Sequence, residues 1–458
     1  MISLALARSI RSERAAEELA RLQELEANRA ESIADFLRRM LTGISPAAAR
    51  GKDTTLLRGI LDDAAKAVDD PSLDVPVRAA LHDILGEAYR SIGKLPEAEH
   101  HLTQALSLRT QEDPDSAATA MAAGNLGSFY RSELERPDLA APHLEHAYRA
   151  LLALRGAGES NTISARNNLA LLYMTMGRFQ DAQTLLEEQL SILTGSLGRS
   201  HETTARVLSN LASIDDLLDR EPMAATLMRE AYDLRTARLG ESHPEPLAPR
   251  VNFGSYHLKR GRLADAEPLL EGAHQILLDV AGPDHPRTLA AAGHLARLRV
   301  KQGRAADAIE LLDNAIQRGS KVLGPDHSNI SGWRLARAQA LQALGQSTLA
   351  ADEAALAIKD SRQQYPPTSW LLASRLLEYG ELLLDQDNSD AAEPLLREAL
   401  SPLTTALGPR GHATKRCAAL LARIAEATGR IDEAAQLRAG AGLDGGPHST
   451  PAKPAVPR

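Results

Sequence analysis

One cysteine, Cys417, is all that the 458 residues hold, which excludes an internal disulfide and any zinc or redox motif built on paired thiols. It is expected to pack inside a helix. Aromatic residues make up 3% of the chain against 43% apolar residues overall, so the interior must be built from Ala and Leu, a composition that suits closely packed helices. No run comes near the ~18 consecutive apolar residues of a membrane-spanning helix. The opening MISLALA is followed at once by Arg8, Arg11 and Arg14. That is too short for a signal-peptide core and has its charges on the wrong side, so a cytoplasmic location is expected. An excess of positive charge is missing too. The net charge is -8 with Lys and Arg scattered, which excludes the basic footprint of a DNA- or RNA-binding surface.

Catalytic signatures are equally scarce. Gly43 and Gly51-Lys52 have the wrong spacing for a phosphate-binding loop, and Asp53 stands where the magnesium-binding Ser or Thr belongs. HETTA at 201–205 lacks the second His of a zinc protease, and the chain contains no kinase HRD or DFG string and no G-x-S-x-G elbow. The reading is a non-enzyme with no cofactor and no metal. His201, His243, His285 and His327 line up in successive copies of one pattern, but stacked helices lie ~8–10 Å apart, whereas zinc ligands sit ~2 Å from one ion. These histidines are expected to bond exposed backbone at helix ends. His101 and His143, with His100 and His146 beside them, read as polar residues on a solvated outer face. The acid pairs Glu187-Glu188 and Asp215-Asp216 read as solvated charge.

What is abundant is repetition. Ala98, Ala140, Ala182, Ala224, Ala266, Ala308, Ala350, Ala392 and Ala434 stand 42 residues apart without a slip, so most of the chain is one small unit copied end to end. An Ala held in every copy marks a helix contact where nothing larger fits. Within 161–202, Leu169, Leu172, Tyr173 and Met176 recur at helical spacing, and a second helix carries Ala182, Leu185, Leu186, Leu190 and Leu193 on one side. Each unit is therefore two antiparallel helices. Gly93, Gly177, Gly261, Gly303, Gly345 and Gly429 fall in the turn between them, where a left-handed residue ends the first helix. Glu135, Asp219 and Asp387 take that register in the other copies. Thr203 and Thr288 read as caps of the following helix. Pro268 and Pro394 fall near the start of the second helix, where backbone N–H groups lack intrahelical partners anyway, so only mild bends are expected.

Leu85-Gly86 with Tyr89, Ala98, Leu102 and Ala105, and Leu169-Ala170 with Tyr173, Ala182 and Leu186, resemble the signature of the tetratricopeptide repeat (TPR). The 42-residue spacing, the NNLALLY string at 167–173 and the LGESHP, AGPDHP and LGPDHS linkers resemble more specifically the kinesin-light-chain type. The resemblance implies an all-α fold, a right-handed superhelical α-solenoid of about nine helical hairpins. The expected layout is a charged helix and linker over 1–50, a half-repeat cap over 51–75, nine units over 76–440 and a Gly- and Pro-rich disordered tail over 441–458. ESIADFLRRMLTGISP and GKDTTLLRGILDDAAKAV also resemble the region that follows the membrane span in certain bacterial serine/threonine kinases carrying such repeats.

Five residues before the Tyr position of the first helix, successive units read Asn125, Asn168, Asn210, Asn252 and His294. An amide offers both a donor and an acceptor to a passing peptide backbone. In kinesin-light-chain-type arrays the matching asparagines line the concave channel and hold an extended peptide, and the resemblance implies that role here. The alternative is that these groups bond across to the next helix and fix the stack. Ala336, Glu378 and Leu420 break the ladder, which confines a peptide to units two to six. Arg166, Arg206, Lys259 and Lys301 nearby favour an acidic ligand. The function so read is a scaffold that docks a protein or an extended peptide in its concave groove. A second reading makes the chain the detached regulatory or sensor arm of a bacterial serine/threonine kinase system, with Met1 a wrong or truncated start and the array outside the cytoplasm.

Overall fold

A computed structural model describes residues 55–70, 73–240 and 247–443. The charged helix expected over 1–50, Gly51-Lys52, residues 241–246 with His243 and most of its LGESHP linker, and the tail from 444 lie outside the described residues. These form helices and no strand. A helix at Thr55–Ala67 precedes nine pairs, in each of which a helix A turns into a helix B. Hairpins one to three are Val75–Ser91 with Leu95–Glu112, Ala117–Ser132 with Pro137–Arg155, and Ser160–Thr175 with Phe179–Ser196. Hairpins four to six are Glu202–Leu217 with Glu221–Leu239, Leu247–Lys259 with Leu263–Ala281, and Pro286–Lys301 with Ala305–Val322. Hairpins seven to nine are Ser328–Ala343 with Ser347–Gln364, Trp370–Asp385 with Ser389–Leu407, and His412–Ala427 with Ile431–Gly440. The chain divides into two compact units, one of the described residues up to Leu169 with Asp279–Pro283, the other of Ala170–Leu278 with the described residues from Asp284 onward.

The turns follow from backbone sterics. Glycine occupies the left-handed position in most hairpins, and where it is missing Glu135, Asp219 and Asp387 adopt φ of 52°, 59° and 58° themselves, a conformation that costs an L residue ~1–2 kcal/mol. In hairpin two the closing bond runs from Arg136 N to Tyr130 O, and in hairpin three from Arg178 N to Tyr173 O. Hairpin two thus carries one extra turn residue, and Asn125 and Asn168 share a register although they are out of step with the 42-residue period. The B helices Leu263–Ala281 and Ser389–Leu407 run through Pro268 and Pro394. Helix starts are capped by histidine: the Nδ1 atoms of His201, His285 and His327 each accept from a backbone N–H two residues on, at 3.2 Å. The sequence expectation for caps therefore needs correction at threonine. Thr203 donates its N–H to His201, and Thr288 lies within the first turn, where its hydroxyl donates to Leu277 O.

Every member of the alanine series is buried, with 0% exposure for all but Ala434 at 1%. A side chain with no freedom to avoid its neighbour sets the helix spacing here, and a larger one would overfill it. Seven residues further along the B helices runs a second buried series, Ala105, Ala147, Ala231, Ala273, Ala315, Ala357 and Ala399, which Ala441 continues just past the end of the last B helix. Hairpin three breaks it with Gln189, which is fully buried and leaves both amide atoms without a hydrogen-bond partner. Cys417 is buried in helix A of hairpin nine, its thiol donating to Leu396 O, and burial pushes its pKa up to about 12.

His101 corrects the expectation of a solvated outer face. It is buried, its Nδ1 lies 2.8 Å from His82 Nδ1, and its ring stacks on Tyr89 with centroids 5.4 Å apart. His82 in turn places Nε2 3.3 Å from Asp69, just beyond the Thr55–Ala67 helix, and Tyr89 donates to Asp62 on that helix. Packing of this first helix over hairpin one is what takes His101 out of water. His143 is half-buried and stacks on Tyr130.

Candidate functional site

In the second unit, the A helices of hairpins four to nine each touch the next A helix in the series. Arg297 of hairpin six reaches Glu378 of hairpin eight at 3.2 Å, passing over hairpin seven. Side chains two hairpins apart meet only on the inside of a curve, so the A helices form the inner face of this unit. On that face Asn210 and Asn252 are half-buried, and Asn252 Nδ2 donates to Ser209 Oγ of the preceding hairpin at 3.3 Å. Asn210 also has a partner. His294 Nδ1 lies 3.1 Å from Ser255 Oγ, again one hairpin back. Burial first, then Arg297 and Lys259, bring the His294 pKa down to about 4 although the ring keeps partial access to solvent. The ring is therefore a neutral imidazole at neutral pH.

The four cations divide. Lys259 donates to Asp216 Oδ2 at 2.7 Å, and Arg260 to Oδ1 at 2.6 Å. Burial raises the Asp216 pKa, but these two cations outweigh it and hold the carboxyl below its ordinary value. Asp215, its neighbour, is also buried, and burial outweighs Arg220 to push its pKa up. Neither is the solvated charge expected from sequence, because the end of helix A is covered by the next hairpin. Arg206 and Lys301 are exposed, with no ion pair among the described residues. Arg166, in the first unit, is buried to 2%: Nε donates to Tyr148 Oη at 3.2 Å, the guanidinium lies over the Tyr148 ring, and Nη1 has no hydrogen-bond partner.

Also in the first unit, Asn125 donates to Asp83 Oδ1 of hairpin one at 3.5 Å, and Asp83 is held by Arg109. Asn168 is half-buried and has no hydrogen bond among the described residues. Sequence reasoning missed the charged lining beyond the ladder. Glu378 occupies the ladder register and pairs with Arg297, while Arg416 pairs with Glu381 at 2.5 Å. Burial raises the Glu378 pKa, yet Arg297 outweighs it and the net shift is downward; at Glu381 burial wins over Arg416 and the net shift is upward. The signal was present as opposite charges close to the ladder register of the A helices: Glu378 on it, Arg297 and Glu381 three residues after it, and Arg416 four residues before it. No group of three or more His, Cys, Asp or Glu among the described residues is placed to hold a metal ion, and no described helix is long and apolar enough to cross a membrane.

Residues 77–153, 161–237 and 247–313 match the family model of the tetratricopeptide repeat. Comparison with curated proteins gives no match. Among solved structures, the Rap conjugation gene regulator of plasmid pLS20 in complex with the Phr* peptide is similar at TM-score 0.53 and 13% identity, covering 76% of this chain and 97% of that one. A Rap protein complexed with Competence and Sporulation Factor is similar at TM-score 0.50 and 10% identity, covering 78% and 99%. A putative kinesin light chain from Podosopora anserina with nearly identical TPR-like repeats is similar at TM-score 0.36 and 24% identity, covering 44% and 97%. At 13% and 10% identity the likeness to the two Rap structures speaks for the fold alone. Over its matched segments the chain is built of tetratricopeptide repeats, in an all-helical TPR-like solenoid.

Proposed function

We propose that this protein is an interaction scaffold with no chemistry of its own, and that the helix-A face of its second unit docks an extended peptide or peptide-like segment of a partner protein. The observation that carries the reading is the register of half-accessible polar groups, Asn210, Asn252 and His294, on one inner face. Each offers hydrogen-bonding capacity along a line, the arrangement an extended backbone can use. Arg206 and Lys301, exposed beside them without ion pairs among the described residues, favour an acidic segment. A Rap neighbour of the same fold was solved with a peptide, which supports the capacity of such a coil to hold one. In the first unit, Asn168 stands ready in the same register, whereas Arg166 contributes to packing.

The test uses the full chain against arrayed short peptides of graded charge. Acidic peptides should be retained over basic ones, with binding that weakens as salt rises. Replacing Asn210 and Asn252 together by Ala should abolish retention while helical content and melting stay nearly unchanged. Parallel loss of binding and stability would show that these amides only fix the stack, and retention indifferent to charge would overturn the acidic preference.

A further inference from the structure

We propose that the second unit is closed by a two-point latch between hairpins that are not neighbours, and that opening this latch controls access to its inner face. Stacked repeats ordinarily touch only the copies next to them. Here Trp370, the first residue of helix A in hairpin eight, donates from Nε1 to Thr175 O at 3.1 Å, a contact across 195 residues. Its ring meets Phe179 edge-on, with centroids 5.3 Å apart. A Cβ on Gly177 would stand 2.9 Å from Trp370 Cδ1 and 3.0 Å from Ala406 Cβ. One repeat further on, Lys415 donates to Asp219 Oδ2 at 2.7 Å across 196 residues, with His412 Nδ1 3.9 Å from the same carboxylate.

The two contacts are copies of each other. Gly177 and Asp219 hold the same turn register in hairpins three and four, and Trp370 and His412 hold the same helix-start register in hairpins eight and nine. The coil therefore returns to itself in step with its own repeat, which makes the closure a property of its pitch. The residue choices fit this role. Gly303 shares the backbone conformation of Gly177, yet a Cβ there would meet nothing within 4 Å. Asp219 accepts left-handed strain at a position where most hairpins use glycine, and its carboxylate is what Lys415 engages. Asp387 bears the same strain with no ion pair among the described residues, so strain alone does not account for the contact.

The closure is light enough to open. One half is an ion pair that keeps partial access to water on both sides and is weakened by salt; the other is a single, partly exposed ring. Hairpins that rotate slightly against their neighbours can sum to a separation at the latch without breaking any stacking interface. His294, Arg297 and Glu378 line the inner face of hairpins six and eight, within the stretch of chain that the latch joins end to end. The consequence for ligand entry rests on the docking role proposed above; the latch itself is tested on the free protein.

The test compares Asp219→Gly with Asp387→Gly in the full chain carrying Trp333→Phe, which leaves Trp370 the sole tryptophan. Both variants relieve turn strain, so both should fold and melt at or above the parent. Asp219→Gly should make Trp370 emission several-fold more quenchable by acrylamide and enlarge the radius of gyration in solution scattering, and salt should move the parent the same way. Asp387→Gly should change neither. Equal quenching and size in the two variants would overturn the latch. If Asp219→Gly opens the protein but acidic peptides bind neither form, the latch stands and the docking role falls.

Discussion

Acid should loosen the start of the array by a calculable amount. His101 is buried against His82, and its pKa drops from 6.5 to about 4, chiefly by desolvation and then by the neighbouring histidines. His82 shifts in the same direction for the same first reason, with Asp69 opposing it. Between pH 6.5 and about 4 the unfolded chain binds protons that the folded one refuses, so stability is full above pH 6.5 and falls as pH drops. At ~1.4 kcal/mol per pKa unit, His101 alone removes about 3 kcal/mol across that window, after which the loss levels off. Other histidines with lowered pKa sit elsewhere in the chain, so the readout must be local. Amide exchange over residues 55–112, corrected for the intrinsic pH effect, should show protection declining through the window, and ring-proton NMR should place His101 well below an ordinary histidine. A paired His82→Leu and His101→Leu replacement removes both partners together and should flatten the slope. An unchanged slope in that variant, or His101 titrating between pH 6 and 7, would refute the reasoning.

Two further outcomes follow from the buried series on the B helices. Ala182→Leu should overfill a helix contact that has no exposed surface and destabilise by ~1–3 kcal/mol, with loss of exchange protection concentrated in hairpins three and four; a neutral result in denaturant melts would show that the contact has slack. Gln189→Met keeps the volume and removes two buried amide atoms that lack partners, so melting should shift upward by the equivalent of ~1–3 kcal/mol. A downward shift would mean that the amide is satisfied by a buried water.

The hairpin was legible because each of its parts is a local decision. A glycine at 177 or 303, the alanines at 42-residue steps and the prolines near helix starts all act within one or two turns of chain. Histidine caps were half legible. His201, His285 and His327 were expected at helix ends and are there, but imidazole Nδ1 took the capping place assigned to threonine because it stands two residues before the N–H it accepts. The candidate groove was less legible. Asn252 and His294 turn toward Ser209 and Ser255 of the preceding hairpins, Arg166 turns inward to Tyr148, and Glu378, read as a break in the ladder, pairs with Arg297. Such choices depend on what a neighbouring hairpin presents across several ångströms, which residue spacing along one helix does not encode.

By itself the sequence determined the repeat, the two helices in each copy, the left-handed turns and the close alanine contacts, since those rest on backbone sterics and on side-chain size at fixed spacing. Only the tertiary structure decided that the second unit returns to itself, seating Trp370 on Thr175 and Lys415 on Asp219. That contact depends on small rotations summed over five successive hairpin interfaces, and no single repeat carries their total.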